Sequence, residues 1–344
     1  MAGLRLAATR AIQFHGSADI PGVQNVRMSS KLCGLVLATA MGLLAAELGL
    51  RWCFVESNGA GVTLASQRWL DHYWRPVNTF GYRDHDVSDV AGKKVVWVVG
   101  DSHAAGWGIE DVRDRFADRL AADLGEGWRV ITLAKPGWDT RRQIEAALAF
   151  PIRPHVIIHT YCLNDAERAA AEAGVRFPQA PTEPASVWAR FAVRHSHLTN
   201  LAYWRWRSGD APGNSSQYWD FIQACFVGAS WQAHSADLAR LLAIYHGHTE
   251  TVIAMVIPNL LDVEASRPLT AQVERWFEEH GATCIDLSGM LADRAPGELV
   301  VNRFDPHASK FVHALIAEKL YSVVKSAADG KANHEMHARS SSSP

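Results

Sequence analysis

The stretch Lys93–Glu110, KKVVWVVGDSHAAGWGIE, constrains the fold more than any other part of the chain. Val95–Val99 is an unbroken apolar run dominated by β-branched valine, and Gly100 ends it. Strict polar alternation would mark a strand with one wet face. An unbroken run marks a strand covered on both faces, as in parallel sheets layered with helices. The turn that follows places Ser102 at the carboxyl edge of such a sheet, where open α/β folds bind their ligands. A helix beginning near Ser102 would aim its free N–H groups at that hydroxyl and at any anion formed beside it.

The rest of the chain repeats the alternation. Asp111–Leu124 has helical spacing, with Phe116, Leu120 and Leu124 in one apolar stripe. Trp128–Leu133 reads as a second strand ending at the Pro136-Gly137 turn, Arg141–Phe150 as a helix, and Pro154–Tyr161 as a third strand ending at Leu163-Asn164-Asp165. Thr251–Ile257 and Ala282–Leu287 read as the fourth and fifth strands, with a helix over Thr270–His280 between them. A loop at Asp293–Val300 follows, and Arg303–Ser309 opens a last helix that runs to about Ser326. This order predicts an α/β fold: three α/β/α layers around a parallel sheet of about five strands.

Residues 166–249 interrupt the alternation. They read as a short helix at Ala166–Ala173, a Pro-rich loop at Phe177–Ser186 and a helix over Val187–Trp206. A polar loop at Ser208–Ser216 and a long helical stretch at Tyr218–His246 complete them. This excursion either caps the site or joins the outer helix layer, and composition does not choose.

Before the first strand lies a candidate membrane element. Residues 1–31 carry Arg5, Arg10, Arg27 and Lys31, whereas Leu32–Leu50 is apolar except for Glu47 near its end. A bilayer core is spanned by roughly 20 such residues. The basic residues before the run put the amino terminus in the cytoplasm. The remainder then lies outside, in the periplasm of a diderm cell, on a single-pass inner-membrane anchor. A cleaved export signal, giving a secreted domain, and a soluble core helix are the competing readings. Residues 51–93 form a lead-in, with a short helix near Ser66–Trp74 and with Arg83 and Asp84 fastening it to the main domain at 94–326. Residues 327–344, ending in RSSSSP, read as a disordered tail.

Composition excludes several functions. The formal charge is -2, from 34 basic and 36 acidic residues, which argues against a nucleic-acid partner. Five cysteines, at positions 33, 53, 162, 225 and 284, have no paired spacing and form no disulfide framework, although one bridge stays open to an extracytoplasmic domain. No G-x-G-x-x-G follows the first strand, so no dinucleotide cofactor is expected. His195 and His197 have no clear third ligand, so no metal is expected either.

Four polar punctuations stand in order: Gly100-Asp101-Ser102, Pro136-Gly137-Trp138, Leu163-Asn164-Asp165 and Asp305-Pro306-His307. Each follows an expected strand or precedes the last helix. From Lys94 to about Val324 the pattern resembles the SGNH superfamily of GDSL-type hydrolases, which has a flavodoxin-like fold and includes esterases, lipases, carbohydrate deacetylases and some O-acyltransferases. The resemblance implies that Ser102 is the nucleophile, His307 the base and Asp305 the residue that orients it. It also implies an oxyanion hole made of the Ser102 N–H, the Gly137 N–H and the Asn164 side-chain amide. These residue types suit the roles. A serine hydroxyl attacks only once a base takes its proton, and fixed donors must meet the oxyanion that forms. Glycine lets the backbone approach a substrate closely, and asparagine donates two N–H groups without ionising.

One departure bears on Asp305. The common family ending has its aspartate three residues before the histidine, where this chain has Phe304. Asp-x-His endings resemble those of polysaccharide O-acetyltransferases. Asp305 before Pro306 also makes a good helix start, with Asp as N-cap and Pro at N1, so two roles compete for it. His103 is expected to face away from the site, Asp101 and Asp165 to bond nearby backbone, and His159 to be buried. Trp107 and Trp138 flank the site in sequence and are candidate platforms for a sugar or acyl group. The expected activity is serine-dependent hydrolysis of an esterified small molecule or glycan, with an O-acetyl carbohydrate favoured. Glycan O-acetyl transfer, with a membrane partner supplying the acyl group, is the alternative. A noncatalytic envelope binding protein is a minor one.

Overall fold

The computed structural model describes residues 30–177, 182–208 and 216–340. The leader at 1–29, part of the Pro-rich loop (178–181), most of the polar loop (209–215) and the last four residues lie outside the described residues. Helix α1, Ser30–Cys53, is long and apolar enough over Lys31–Cys53 to cross a bilayer. As far as Ala46 it is a unit of its own, and Leu35, Leu37, Met41 and Leu44 along it are exposed. The last carbonyls of α1 are met by a guanidinium: Arg68 donates to the carbonyls of Arg51, Trp52 and Leu50, the last of which also accepts from the Phe54 N–H. Arg68 lies on α2, Leu64–Tyr73, which starts where the Thr63 hydroxyl accepts from the Ser66 N–H.

The central elements follow in order: β1 (Lys94–Gly100), α3 (Ser102–Ala105), α4 (Phe116–Leu124), β2 (Trp128–Ala134), α5 (Thr140–Ala149), β3 (Val156–Cys162) and α6 (Glu167–Glu172). The excursion adds α7 (Val187–His195), α8 (His197–Ser208), α9 (Ser216–Cys225) and α10 (Gly228–His248). Then come β4 (Val252–Ile257), α11 (Val263–Glu279), β5 (Thr283–Asp286), α12 (Ser288–Leu291), α13 (Pro296–Leu299), β6 (Val300–Asn302), β7 (Asp305–Ala308) and α14 (Lys310–Ser340). Five strands form one sheet in the order β2-β1-β3-β4-β5, and every pairing is parallel.

The valine run of β1 is explained by its two faces. Val95, Trp97 and Val99 pack with α5, α10 and α11 on one side. Val96 and Val98 pack with α4 and α14 on the other. Neither face sees water, so neither tolerates a polar residue. The strand order reverses direction between β1 and β3, and the loops after these strands open at their carboxyl ends, the place where such sheets bind ligands.

The lead-in is fastened as its charges suggest. Arg83 is buried and donates to the carbonyls of Gly106 (2.5 Å), Ile109 (2.6 Å) and Tyr73 (2.7 Å). Asp84, also buried, accepts from the Thr132 N–H at 2.8 Å and faces Arg115. Together they clamp the loop after β1 onto β2.

Several sequence boundaries require correction. The helix expected over Val187–Trp206 is two helices that break at Ser196. The cause lies far away in the chain: the Glu47 carboxylate accepts from the Ser196 hydroxyl and from the N–H groups of His197 and Leu198, each at 2.9 Å, and so caps α8 from outside. The stretch Tyr218–His246 also divides at Phe226 and Val227, just before Gly228, whose left-handed φ of +53° opens α10. The segment Asp293–Val300, expected as loop, contains α13 and the start of β6. The last helix begins at Lys310 rather than at Asp305 and continues to Ser340, past the expected end near Ser326. Its extension, AADGKANHEMHA, contains enough alanine, lysine and glutamate for helix propensity to outweigh one glycine.

The excursion has both of the roles open to it. Leu238, Leu241 and Tyr245 of α10 join the core beside α5, while α9 reaches the site. All five cysteines are free.

Candidate active site

Three loops and one hairpin meet at the carboxyl edge of the sheet. Ser102 follows β1, Gly137 follows β2, Asn164 follows β3, and His307 sits on β7. All four line one cleft of about 310 Å³. β7 pairs antiparallel with β6, with Asn302 opposite Asp305 and Val300 opposite Ala308. This hairpin explains why Asp305 is not a helix cap. Its backbone is extended, and the helix starts after Ser309.

The hairpin turns two side chains towards Ser102. The Ser102 hydroxyl lies 2.8 Å from His307 Nε2, and His307 Nδ1 lies 2.6 Å from Asp305 Oδ1. Asp305 also accepts from the His307 N–H at 3.2 Å. Asp305 is fully buried. Burial alone would push its carboxyl up, but the facing His307 and hydrogen bonds from His307 and Ser57 hold it below the ordinary carboxylate value. A carboxylate that stays ionised fixes which ring nitrogen carries the proton: Nδ1 donates to it, leaving Nε2 free to accept from Ser102.

Asp101 organises the other side. Its Oδ1 accepts from the His103 N–H at 2.9 Å, and its Oδ2 lies 3.4 Å from Asn164 Nδ2. Asp165 accepts from the Cys162 N–H and from Gln143, and so braces the loop that carries Asn164. Gly137 has φ +72°, a backbone state that side chains disfavour, and nothing lies near the position a Cβ would take. Among the described residues, neither the Ser102 nor the Gly137 N–H makes a backbone hydrogen bond. Both remain available to an anion. Cys162 also lines the cleft, but burial and the neighbouring Asp101 push its thiol well above the ordinary value. The thiol therefore stays protonated, whereas the Ser102 hydroxyl lies within hydrogen-bond reach of the His307 imidazole.

His103 does not face away. Its ring centroid lies 4.9 Å from that of His307, and it lines the cleft. Burial lowers it to about 4, so it stands beside His307 as a neutral ring. His159, on β3, is buried with its Nδ1 3.2 Å from the Tyr245 hydroxyl.

The two tryptophans do not line this cleft. The Trp107 indole N–H donates to the Asn58 carbonyl at 3.1 Å, and the ring packs against Trp69, Trp74 and His307. Trp138 packs edge-on against Tyr82. Both border a separate depression with Leu70 and Lys135. The aromatic wall of the cleft is instead Tyr218 and Trp219, with Ile222 one turn on. Sequence reading passed over these because Tyr218 is 54 residues from Asn164 and stands at the start of a stretch expected to be one long helix. The only signal was apolar spacing at 218, 219 and 222.

Tyr218 also donates to Glu167 at 2.7 Å. Burial pushes the Glu167 carboxyl up from 4.5 to about 7, although the Tyr218 hydrogen bond opposes this. The folded state therefore holds a proton there that the unfolded state releases, and stability falls as pH rises between about 4.5 and about 7. Below that window both states are protonated and the carboxyl imposes no penalty. Glu167→Gln, which keeps an acceptor for Tyr218, is expected to flatten this dependence in urea unfolding between pH 5 and pH 8. Equal pH slopes in the two proteins would contradict the burial argument.

No family model and no curated protein matches the chain. Solved structures similar to it include a putative arylesterase from Agrobacterium tumefaciens str. C58, at 17% identity over 68% of this chain and 99% of that one, with a TM-score of 0.41. Phospholipase A1 from Streptomyces albidoflavus NA297 matches at 13% identity over 69% and 99%, TM-score 0.44. A carbohydrate acetylesterase family member from Sinorhizobium meliloti matches at 17% identity over 67% and 97%, TM-score 0.40. At such identities the chemistry has to be read from the site's own geometry.

Proposed function

We propose that the chain is a serine-dependent ester hydrolase acting through an acyl-enzyme on Ser102. The observation that carries this reading is the hydrogen-bonded line from Ser102 through His307 to Asp305, opening on a cleft shared with Gly137 and Asn164. As Ser102 Oγ attacks the ester carbonyl carbon, His307 Nε2 takes its proton. The carbonyl oxygen becomes an oxyanion, met by the N–H groups of Ser102 and Gly137 and by Asn164 Nδ2. One such donor is worth roughly 3–4 kcal/mol in the transition state. Collapse expels the alkoxide, which takes the proton back from His307. Water then attacks the acyl group and gives one proton to His307, which returns it to Ser102 as the bond breaks; the carboxylic acid leaves and ionises, giving its remaining proton to solvent. Asp305 holds the ring in place throughout and balances its transient positive charge.

A cleft of about 310 Å³ suits a short acyl group better than a long chain. Tyr218 and Trp219 supply aromatic surface of the kind that sugars stack on, which supports an O-acetyl carbohydrate. In this reading α1 holds the enzyme in the inner membrane, with the domain on the periplasmic side. Incubating the purified protein with an activated acetyl ester, with and without a panel of glycans, tests the proposal. Free acetate in both arms and no acetylated glycan is the expected result. Acetyl-glycan formed faster than acetate would overturn hydrolysis in favour of transfer, a reaction that uses the same residues and differs in what attacks the acyl group.

A further inference from the structure

We propose that Ser57 is a positioning residue for Asp305, and that Glu56–Gly59, the segment just beyond the apolar helix, is built into the active site. The inference rests on the reading of Ser102, His307 and Asp305 as a working unit. Asp305 has two carboxylate oxygens. Oδ1 is occupied by His307, through Nδ1 and its backbone N–H. Oδ2 accepts from the Ser57 hydroxyl. Both residues are buried, Ser57 at 3% exposure and Asp305 at 0%, so solvent has little access to replace a missing donor. A carboxylate pinned at both oxygens cannot rotate, and Oδ1 stays aimed at the imidazole. Without Ser57, Oδ2 would be left a buried and unsatisfied charge.

The segment is held for this purpose on every side. Asn302 Nδ2 donates to the Ser57 carbonyl at 3.0 Å, the Gly59 N–H donates to the Phe304 carbonyl at 3.0 Å, and Trp107 holds the Asn58 carbonyl. Arg205 grips both Glu56 oxygens, at 2.8 and 3.1 Å, while its guanidinium lies 4.1 Å from the centroid of the Phe304 ring. A Cβ on Gly59 would come within 2.7 Å of Pro306 Cδ, so only glycine lets the strand of chain pass this close to the catalytic turn. Trp107 thereby acquires a different role from a substrate platform: it supports the segment that supports Asp305.

Ser57 does not line the cleft. Its loss should therefore slow the chemical step and leave substrate binding nearly unchanged. The test compares the full chain with Ser57→Ala, Ser57→Cys and Ser57→Thr for kcat and KM on an activated acetyl ester, with Ser102→Ala as reference. Ser57→Ala is expected to lower kcat on the order of ten-fold or more, with KM near the parent value. Ser57→Cys keeps the shape but donates weakly, so it should share the loss, and it answers the question if the alanine variant does not fold. Ser57→Thr keeps the hydroxyl and should recover most of the rate. Parent-like kcat in both the alanine and cysteine variants, or an equal loss in the threonine variant, would overturn the positioning role while leaving the triad intact. Full turnover in Ser102→Ala would instead reject the triad, and this inference with it.

Discussion

Ser102→Ala is expected to lower the turnover of an activated ester by roughly 10⁴- to 10⁶-fold while the protein remains folded. The change removes one hydroxyl, which meets His307 Nε2 at 2.8 Å and Asp101 Oδ2 at 3.4 Å. A single hydrogen bond of this kind contributes about 1 kcal/mol to stability, and no cavity of consequence is left. The catalytic loss is far larger because no other group can take the hydroxyl's place. Cys162 shares the cleft, but its thiol is held protonated. The double variant with His307→Ala should be no worse than either single one, since the hydroxyl is useless without its base and the base without its hydroxyl. Comparable unfolding midpoints together with lost turnover are the pair of observations to seek in urea titration and a chromogenic ester assay.

His307→Ala is expected to cost nearly as much as the loss of Ser102. The nearest candidate for a substitute base is His103, whose ring lies 4.9 Å from that of His307. Burial lowers it to about 4. A base that weak at neutral pH gives little driving force for taking the serine proton. His103 should thus give no rescue, and His307→Ala combined with His103→Ala should match His307→Ala alone. Residual activity in the single variant that disappears in the double would show His103 standing in as a base.

Much of this arrangement was legible in the chain because the relevant signals are local. The inner strands β1, β3 and β4 are buried on both faces, so Val95–Val99 and Val252–Ile257 read as apolar runs without knowledge of their neighbours. Ser102, Gly137 and Asn164 follow directly on strand ends, and parallel pairing brings strand ends together. Arg83 and Asp84 were readable as fasteners of the lead-in, and both are buried against the domain.

What escaped the sequence was determined at long range. Glu47 breaks a helix at Ser196 by capping it from 149 residues away, and nothing local marks that break. Asp305-Pro306 has the composition of a helix start, yet pairing with Val300–Asn302 draws it into a strand. That pairing turns the carboxylate towards the imidazole and away from the backbone it would have capped. Trp107 sits five residues after Ser102, which suggested a platform, but its N–H is committed to Asn58 and its ring lies behind His307. Ser57 carries no motif at all. Its importance arises from the carboxylate oxygen it meets 248 residues further on. Local pattern therefore located the loops of the site, while long-range contacts decided which side chains line the cleft and which stand behind it.

The central claim is that Ser102 is an activated nucleophile, and covalent capture tests it without knowledge of the natural substrate. The folded parent protein is treated with a fluorophosphonate, which reacts with serines made nucleophilic by a neighbouring base, and the adduct is mapped by peptide mass spectrometry. The expected result is a single adduct on Ser102, absent from Ser102→Ala and formed far more slowly in His307→Ala. An unmodified Ser102, an adduct at another serine, or equal labelling of the parent and His307→Ala would contradict it.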